Sequence, residues 1–339
     1  MDLQKIPKIE LHYHLDGSVS AATLIDVAIH DEIVLPTYNS KELEKLLRAD
    51  ESCVSLANYL SKFDLPLKCM QTEYALEYIS YKAIEDVSKQ NVKYIEIRFA
   101  PQLHTIKGLD IYQVTNSVIC GLQKGEKEYN VISRIIIVCL RSDDLAKNIE
   151  VLELTNRLLG NYVVGIDLAG DELKNPPNNF MDLFDQAKKL GIPITIHAGE
   201  AAGPDNVRKS IENLHATRIG HGISSREDSN LIDLIRKKSI YLELCITSNV
   251  QTKAVKSWKD HPVKEFYDCG IKITINTDNS AISNTNLSEE YSKLISLYGF
   301  TLSDLHAIIL NGLDAAFISE RMKNDLRAKI NDEFMVFTL

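Results

Sequence analysis

The chain has 339 residues, 45% of them hydrophobic and 25% charged, and a formal net charge of −9. This is the composition of a globular protein with a sizeable core. The acidic balance, with no local Lys/Arg cluster, argues against a nucleic-acid partner. The opening MDLQKIPKIE lacks an apolar stretch of signal-peptide type, and no apolar run is long enough to span a bilayer. The six cysteines, at positions 53, 69, 120, 139, 245 and 269, form no C-x-x-C pair and read as reduced thiols of a cytoplasmic protein.

In chain order, the first predicted strand is KIELHYHL (8–15), followed by a long, largely helical stretch (18–72) and a helical pattern over EYALEYISYKAIEDVSKQ (73–90). Strands KYIEIRFA (93–100), SRIIIVCL (133–140) and YVVGIDLA (162–169) come next, then the helix NFMDLFDQAKKLG (179–191) with its glycine stop. PITIHAG (193–199), TRIGHGI (217–223), IYLELCIT (240–247) and KITINTD (272–278) complete eight strands. Several are apolar at nearly every position, as strands buried on both faces should be. Eight strands alternating with helices predict a TIM (β/α)8 barrel. Residues 18–72 are then a helical insertion after strand one and a candidate lid, and 288–330 are extra C-terminal helices. The length also admits two domains, but no linker or low-complexity segment appears, so a single domain over 1–339 is expected.

The chemistry-bearing residues fall at the C-terminal ends of these strands, where this fold places its active sites. His12 and His14 are alternate residues of one strand and project from one face. Strand four ends in Asp167, Gly170 and Asp171, strand five in His197 and Glu200, strand six in His221, and strand eight in Asp278 and Asn279. His12, His14, His197 and Asp278 make a nitrogen-and-oxygen ligand set suited to zinc or another borderline metal. Strand four holds no lysine that could bridge two metals, so one ion is expected. Such an ion lowers the pKa of a bound water to about 7. Glu200, just past strand five, suits a proton donor or else a charge ahead of the helix NVRKSIENL. His221 between two glycines could orient or deprotonate a water, or simply occupy a turn.

HYHLDGS, VVGIDLAGDE, TIHAGE, RIGHGI, ELCITSN and TINTDN, in this order, resemble the adenosine deaminase family of the amidohydrolase superfamily, from about residue 8 to the C-terminal helices. The resemblance implies one zinc ion per chain on His12, His14, His197 and Asp278, with Asp278 also accepting a hydrogen bond from the attacking water. It implies that Glu200 protonates the purine at N1, that His221 assists the water, and that the Gly170 N–H contacts N3. Asp16, with His14 beside it, would bind the ribose 5′-hydroxyl. The activity implied is hydrolytic deamination of adenosine and 2′-deoxyadenosine in purine salvage. The cytidine-type deaminases use an H-x-E and P-C-x-x-C signature that is missing here.

Two positions depart from the family pattern. Asn279 stands where many members have a second aspartate, and its amide N–H can donate the same hydrogen bond to purine N7. Ile246 stands where proline is usual. Relatives acting on adenine or futalosine-type substrates usually carry HLEG, whereas this chain has HLDG at 14–17, whose shorter carboxylate leaves room for ribose. Leu56, Tyr59, Leu60 and Phe63 lie at helical spacing in the insertion, either as core or as an apolar cover over the pocket. Deamination of adenine or a 5′-modified adenosine, and a catalytically silent nucleoside-binding barrel, are the competing readings. The sequence specifies no oligomeric state.

Overall fold

The structure, a computed structural model, describes residues 2–49, 53 and 56–337, the side chains of Leu56 and Ala57 excepted. Eight parallel strands run β1 (Lys8–His14), β2 (Val92–Phe99), β3 (Ile132–Leu140), β4 (Val163–Ala169), β5 (Thr195–Ala198), β6 (Arg218–His221), β7 (Tyr241–Leu244) and β8 (Lys272–Ile275). They form two four-stranded ladders, β1 to β4 and β5 to β8, each in sequence order. Sparse contacts join the two. Between β4 and β5 the Ile166 N–H donates to the Pro193 carbonyl (3.0 Å). Between β8 and β1, His14 N–H donates to Asp278 O (2.8 Å), Asp278 N–H donates to His12 O (2.9 Å), and the Asn276 side chain accepts the Leu11 N–H (3.0 Å). The result is the (β/α)8 barrel that the strand pattern predicts.

The first four strands match their expected spans, while β5 to β8 are only four residues each. The shortening has two backbone causes. After β7 the helix Ile246–Gln251 starts within the predicted strand. Gly199, His221 and Asp278 have φ of +73°, +64° and +62°, so the chain leaves the extended conformation around the ends of β5, β6 and β8. For His221 and Asp278 this is the left-handed region that non-glycine residues adopt at a cost and that collects at functional sites.

The barrel interior is polar. Glu96 and Arg98 of β2, Asp167 of β4, Arg218 of β6 and Glu243 of β7 are all buried. Arg98 pairs with Asp167 (2.9 Å) and Glu243 (2.7 Å), and Arg218 with Glu96 and Glu243 (2.6 Å each). Each charge has a partner, without which burial of this kind costs several kcal/mol.

The insertion is helical as expected, with helices Ala21–His30, Ser40–Leu47, Leu56–Leu60 and Asp64–Cys69. Ser20 and Asn39 cap the first two, their side chains accepting first-turn N–H groups. The helix Glu73–Ser88 starts on a Thr72 cap, and Met181–Lys189 falls within the predicted 179–191. The C-terminal helices are Leu287–Tyr298, Leu302–Ala315 and Glu320–Met335. Among the described residues no helix is long and apolar enough to cross a membrane.

Candidate active site

His12 and His14 lie on one face of β1, and the bridge between β1 and the segment after β8 carries Asp278 to them. His12 Nε2 and His14 Nε2 each lie 3.4 Å from Asp278 Oδ1, and His14 Nε2 lies 3.1 Å from His197 Nε2. Donor atoms of these four residues all fall within 4.8 Å of one another. The close approach needs Gly220 on β6, since a Cβ there would come within 2.9 Å of His12 Cε1.

The groups around His12, His197 and Asp278 orient all three. His12 Nδ1 donates to Glu243 Oε2 (2.8 Å), so its Nε2 carries a lone pair, buried and without a hydrogen-bond partner. His197 Nδ1 faces Asp167 (2.9 Å to Oδ2), which leaves its Nε2 turned toward His14. Ser248 Oγ donates to Asp278 Oδ2 (2.6 Å) and so leaves Oδ1 toward the histidines. Carboxylates that bind the far nitrogens of ligand histidines fix tautomer and ring orientation at metal sites. Burial, then the Arg98 charge, pushes the His12 pKa down to about 4, and burial holds His14 well below its ordinary value. Burial also opposes ionisation of His197 and Asp278. The Asp167 charge nevertheless raises His197, and the imidazoles of His12, His14 and His221 around it hold Asp278 far below the carboxylate range. Nitrogen and oxygen donor atoms converging on one point from buried groups fit a bound cation. The absence of sulfur from the set fits an ion of borderline character.

Above the cluster is a partly enclosed cavity with about 600 Å³ of empty volume, its mouth included. His14, His197, Asp278, Glu200, His221, Gly170 and Asn279 line it. Of the residues given a role, all line it except His12 and Asp16. The Asp16 carboxylate is buried, its Oδ1 accepts the Gly17 N–H (3.1 Å), and burial pushes its pKa up to about 6. Asp171, also at the end of β4, pairs with Lys174 at the surface instead. Gly170 has φ of +108°, a conformation that favours glycine.

Glu200 receives the Thr252 hydroxyl on Oε1 (2.9 Å), and its Oε2 lies 3.6 Å from His221 Nε2. It lies three residues ahead of the Gly203 cap of the helix Pro204–Glu212, and its carboxylate turns to Thr252 and His221 and makes no capping bond to that helix. Its loop is held by Glu172, whose carboxylate accepts the backbone N–H groups of Gly199, Glu200, Ala201 and Ala202 at 2.7 to 3.0 Å. Arg141 braces the neighbouring strand by donating to the His197 carbonyl (2.9 Å). Tyr59, Leu60 and Phe63 of the insertion line the cavity; Tyr59 is also buried in a small cluster with Ala49, Cys53 and Ile282, while Leu60 is 45% exposed, so the stripe serves both as core and as cover. The Leu56 side chain lies outside the described residues.

Glu172, Asp167, Glu243, Ser248 and Asn249 have no assigned role in the sequence reading. Two signals were available: polar residues facing inward from otherwise apolar strands, and the polar run Thr247–Ser248–Asn249 directly after β7. Ile246 is the first residue of the helix Ile246–Gln251. That position makes no intrahelical N–H bond, so it tolerates proline and other residues alike.

A (β/α)8 barrel with three histidines, an aspartate and a nearby carboxylic acid at its C-terminal mouth defines a metal-dependent hydrolase. The sequence model of the adenosine deaminase family matches residues 7–333. An adenosine deaminase of Clostridium botulinum (strain Hall) is 42% identical over 332 residues, 98% of this chain and 99% of that one. Among solved structures, the adenine deaminase of Arthrobacter aurescens has a TM-score of 0.88 at 26% identity, over 98% of this chain and 99% of its own. An amidohydrolase of Burkholderia ambifaria, solved with bound zinc, shares the fold with a TM-score of 0.89 at 23% identity, over 99% of this chain and 92% of its own. The chain belongs to the adenosine deaminase family and is a deaminase.

Proposed function

We propose that this protein is a zinc-dependent adenosine deaminase, converting adenosine and 2′-deoxyadenosine to inosine and deoxyinosine with release of ammonia. The observation that carries the reading is the set of converging donor atoms on His12, His14, His197 and Asp278 below a cavity that also holds Glu200 and His221. The 42% identity to a curated adenosine deaminase supports the choice of substrate over adenine.

One zinc ion on those four residues supplies Lewis acidity that makes hydroxide available near neutral pH. Asp278 Oδ1 accepts a hydrogen bond from the attacking water, while Ser248 keeps the other oxygen occupied. Glu200, anchored by Thr252 and by its Glu172-bound loop, delivers its proton to purine N1. Protonation there lets C6 become tetrahedral without building charge on the ring; of the two protons the attacking water gives up, one goes to the amino group, which leaves as ammonia, and one restores Glu200. His221 faces the oxygen on which charge develops. The Gly170 N–H meets N3, the Asn279 amide meets N7, and Asp16 with His14 takes the 5′-hydroxyl. Buried thiols such as Cys69, Cys139 and Cys245 suit a reducing cytoplasm.

The test is metal analysis together with loss of the adenosine absorbance band. Stoichiometric zinc and turnover, both abolished by chelation and restored by zinc, support the reading. Activity that survives complete metal removal overturns it.

A further inference from the structure

His221 can serve as a base or as a hydrogen-bond donor, and which of the two depends on which ring nitrogen carries its proton. The groups behind it decide this. The Val263 backbone N–H donates to His261 Nδ1 (3.2 Å). A backbone N–H cannot accept, so that nitrogen must offer its lone pair, and neutral His261 then carries its proton on Nε2. His261 Nε2 lies 3.2 Å from Asn249 Oδ1, the acceptor that this proton requires. With its oxygen committed, Asn249 turns Nδ2 to His221 Nδ1 at 2.9 Å. An amide NH₂ only donates, so His221 Nδ1 is in turn the lone-pair side. Asn249 is fully buried, and His221 and His261 nearly so, leaving no water to scramble the order. Burial, with Arg226 next in effect, pushes the His261 pKa down to about 3, which keeps it the neutral link the chain needs.

We infer that Asn249 and His261 are positioning residues that lock His221 in its Nε2–H tautomer, so that it presents a hydrogen-bond donor, and not a base, to the reacting oxygen. The sense of the whole relay is set at one end by the Val263 amide. The inference rests on the proposed deaminase site for its catalytic consequence, but its structural half does not. Donation from a preorganised group to developing oxyanion charge is worth about 10²–10³ in kcat. A histidine held in the wrong tautomer costs up to about 10⁴ elsewhere.

The direct test is a ¹H–¹⁵N correlation spectrum of the ¹⁵N-histidine-labelled, zinc-loaded protein, with His221 assigned by its loss in His221→Gln. A bare Nδ1 and a protonated Nε2 are expected. A protonated Nδ1 overturns the inference, whatever the protein deaminates. In Asn249→Asp the carboxylate accepts where the amide donated, so the proton should move to Nδ1. For that variant kcat should fall by about 10²–10³, with KM and zinc content little changed. His261→Gln preserves the relay, since its NH₂ can donate to Asn249 and its oxygen can accept from Val263, whereas His261→Leu breaks it. The glutamine variant should keep both tautomer and kcat, and the leucine variant should lose both, so this pair decides the matter if Asn249→Asp does not fold. Unchanged kcat in a folded Asn249→Asp, or equal activity of the two His261 variants, overturns the inference. If wild type does not deaminate adenosine while the Nε2–H tautomer is observed, the substrate assignment fails and the relay stands.

Discussion

Ser248 Oγ lies 2.6 Å from Asp278 Oδ2, and this one hydrogen bond determines which carboxylate oxygen faces the three histidines. Partners of this kind typically contribute 10- to 100-fold in metal affinity or activity. Ser248→Ala should therefore weaken zinc binding and kcat/KM by about 10–100-fold while the far-UV spectrum is unchanged. Competitive chelation with a zinc indicator measures it. Wild-type affinity in the variant would detach Ser248 from the site.

Glu172 gathers four backbone N–H groups of the loop that carries Glu200. Glu172→Gln replaces one accepting oxygen with an NH₂ and leaves buried donors unpaired, which costs about 1–3 kcal/mol. We expect a lower unfolding midpoint in urea and a lower kcat, because the proton donor is no longer held in place. A variant with reduced stability but full kcat would confine Glu172 to a folding role.

Glu200→Gln should retain zinc and bind nucleoside, yet lose at least about 10²-fold in kcat, the lower range for a general acid. Calorimetric titration with inosine separates binding from turnover. An unchanged kcat moves the acid role to another residue.

Asp16 tests substrate choice. If its carboxylate accepts the 5′-hydroxyl, wild type should favour adenosine over 5′-deoxyadenosine and adenine by on the order of 10²-fold in kcat/KM. Asp16→Ala should impair adenosine turnover and erase that preference. Methylthioadenosine should be a poor substrate, because its thioether crowds the same place. Equal wild-type efficiency on adenosine and 5′-deoxyadenosine would falsify the assignment, and adenine as best substrate would overturn the nucleoside reading.

A fifth expectation concerns acid stability. His104 is buried with Nδ1 on the Met70 carbonyl (2.9 Å), and burial pushes its pKa from 6.5 down to about 4. Between these values the unfolded chain binds the proton and the folded chain does not. Its contribution is therefore intact above pH about 6.5 and is lost as pH falls toward 4, by on the order of 3 kcal/mol. His104→Gln keeps a donor for Met70 and removes the titration. Urea unfolding between pH 7 and 5 should show a shallower decline for the variant, and identical slopes would refute the account.

The amino-acid sequence by itself determined the eight strands and the helical insertion, and it nominated the four residues whose donor atoms the fold brings together. Strand alternation and helical periodicity are local signals, and His12, His14, His197, Glu200, His221 and Asp278 each sit where a strand pattern ends. Family motifs in a fixed order added roles to those positions. The true lengths of β5 to β8 were hidden because positive φ at Gly199, His221 and Asp278, and the helix that starts at Ile246, leave no mark on hydrophobic patterning. The same holds for Asp167, Glu243, Ser248 and Glu172. Each acts on a residue from 25 or more positions away in the chain: Glu172 on Glu200, Asp167 on His197, Ser248 on Asp278 and Glu243 on His12. Proton placement was decided last and only in three dimensions, because a tautomer is set by whichever donor or acceptor the fold brings to the far nitrogen. For His221 that partner is Asn249, which the short helix after β7 delivers to it.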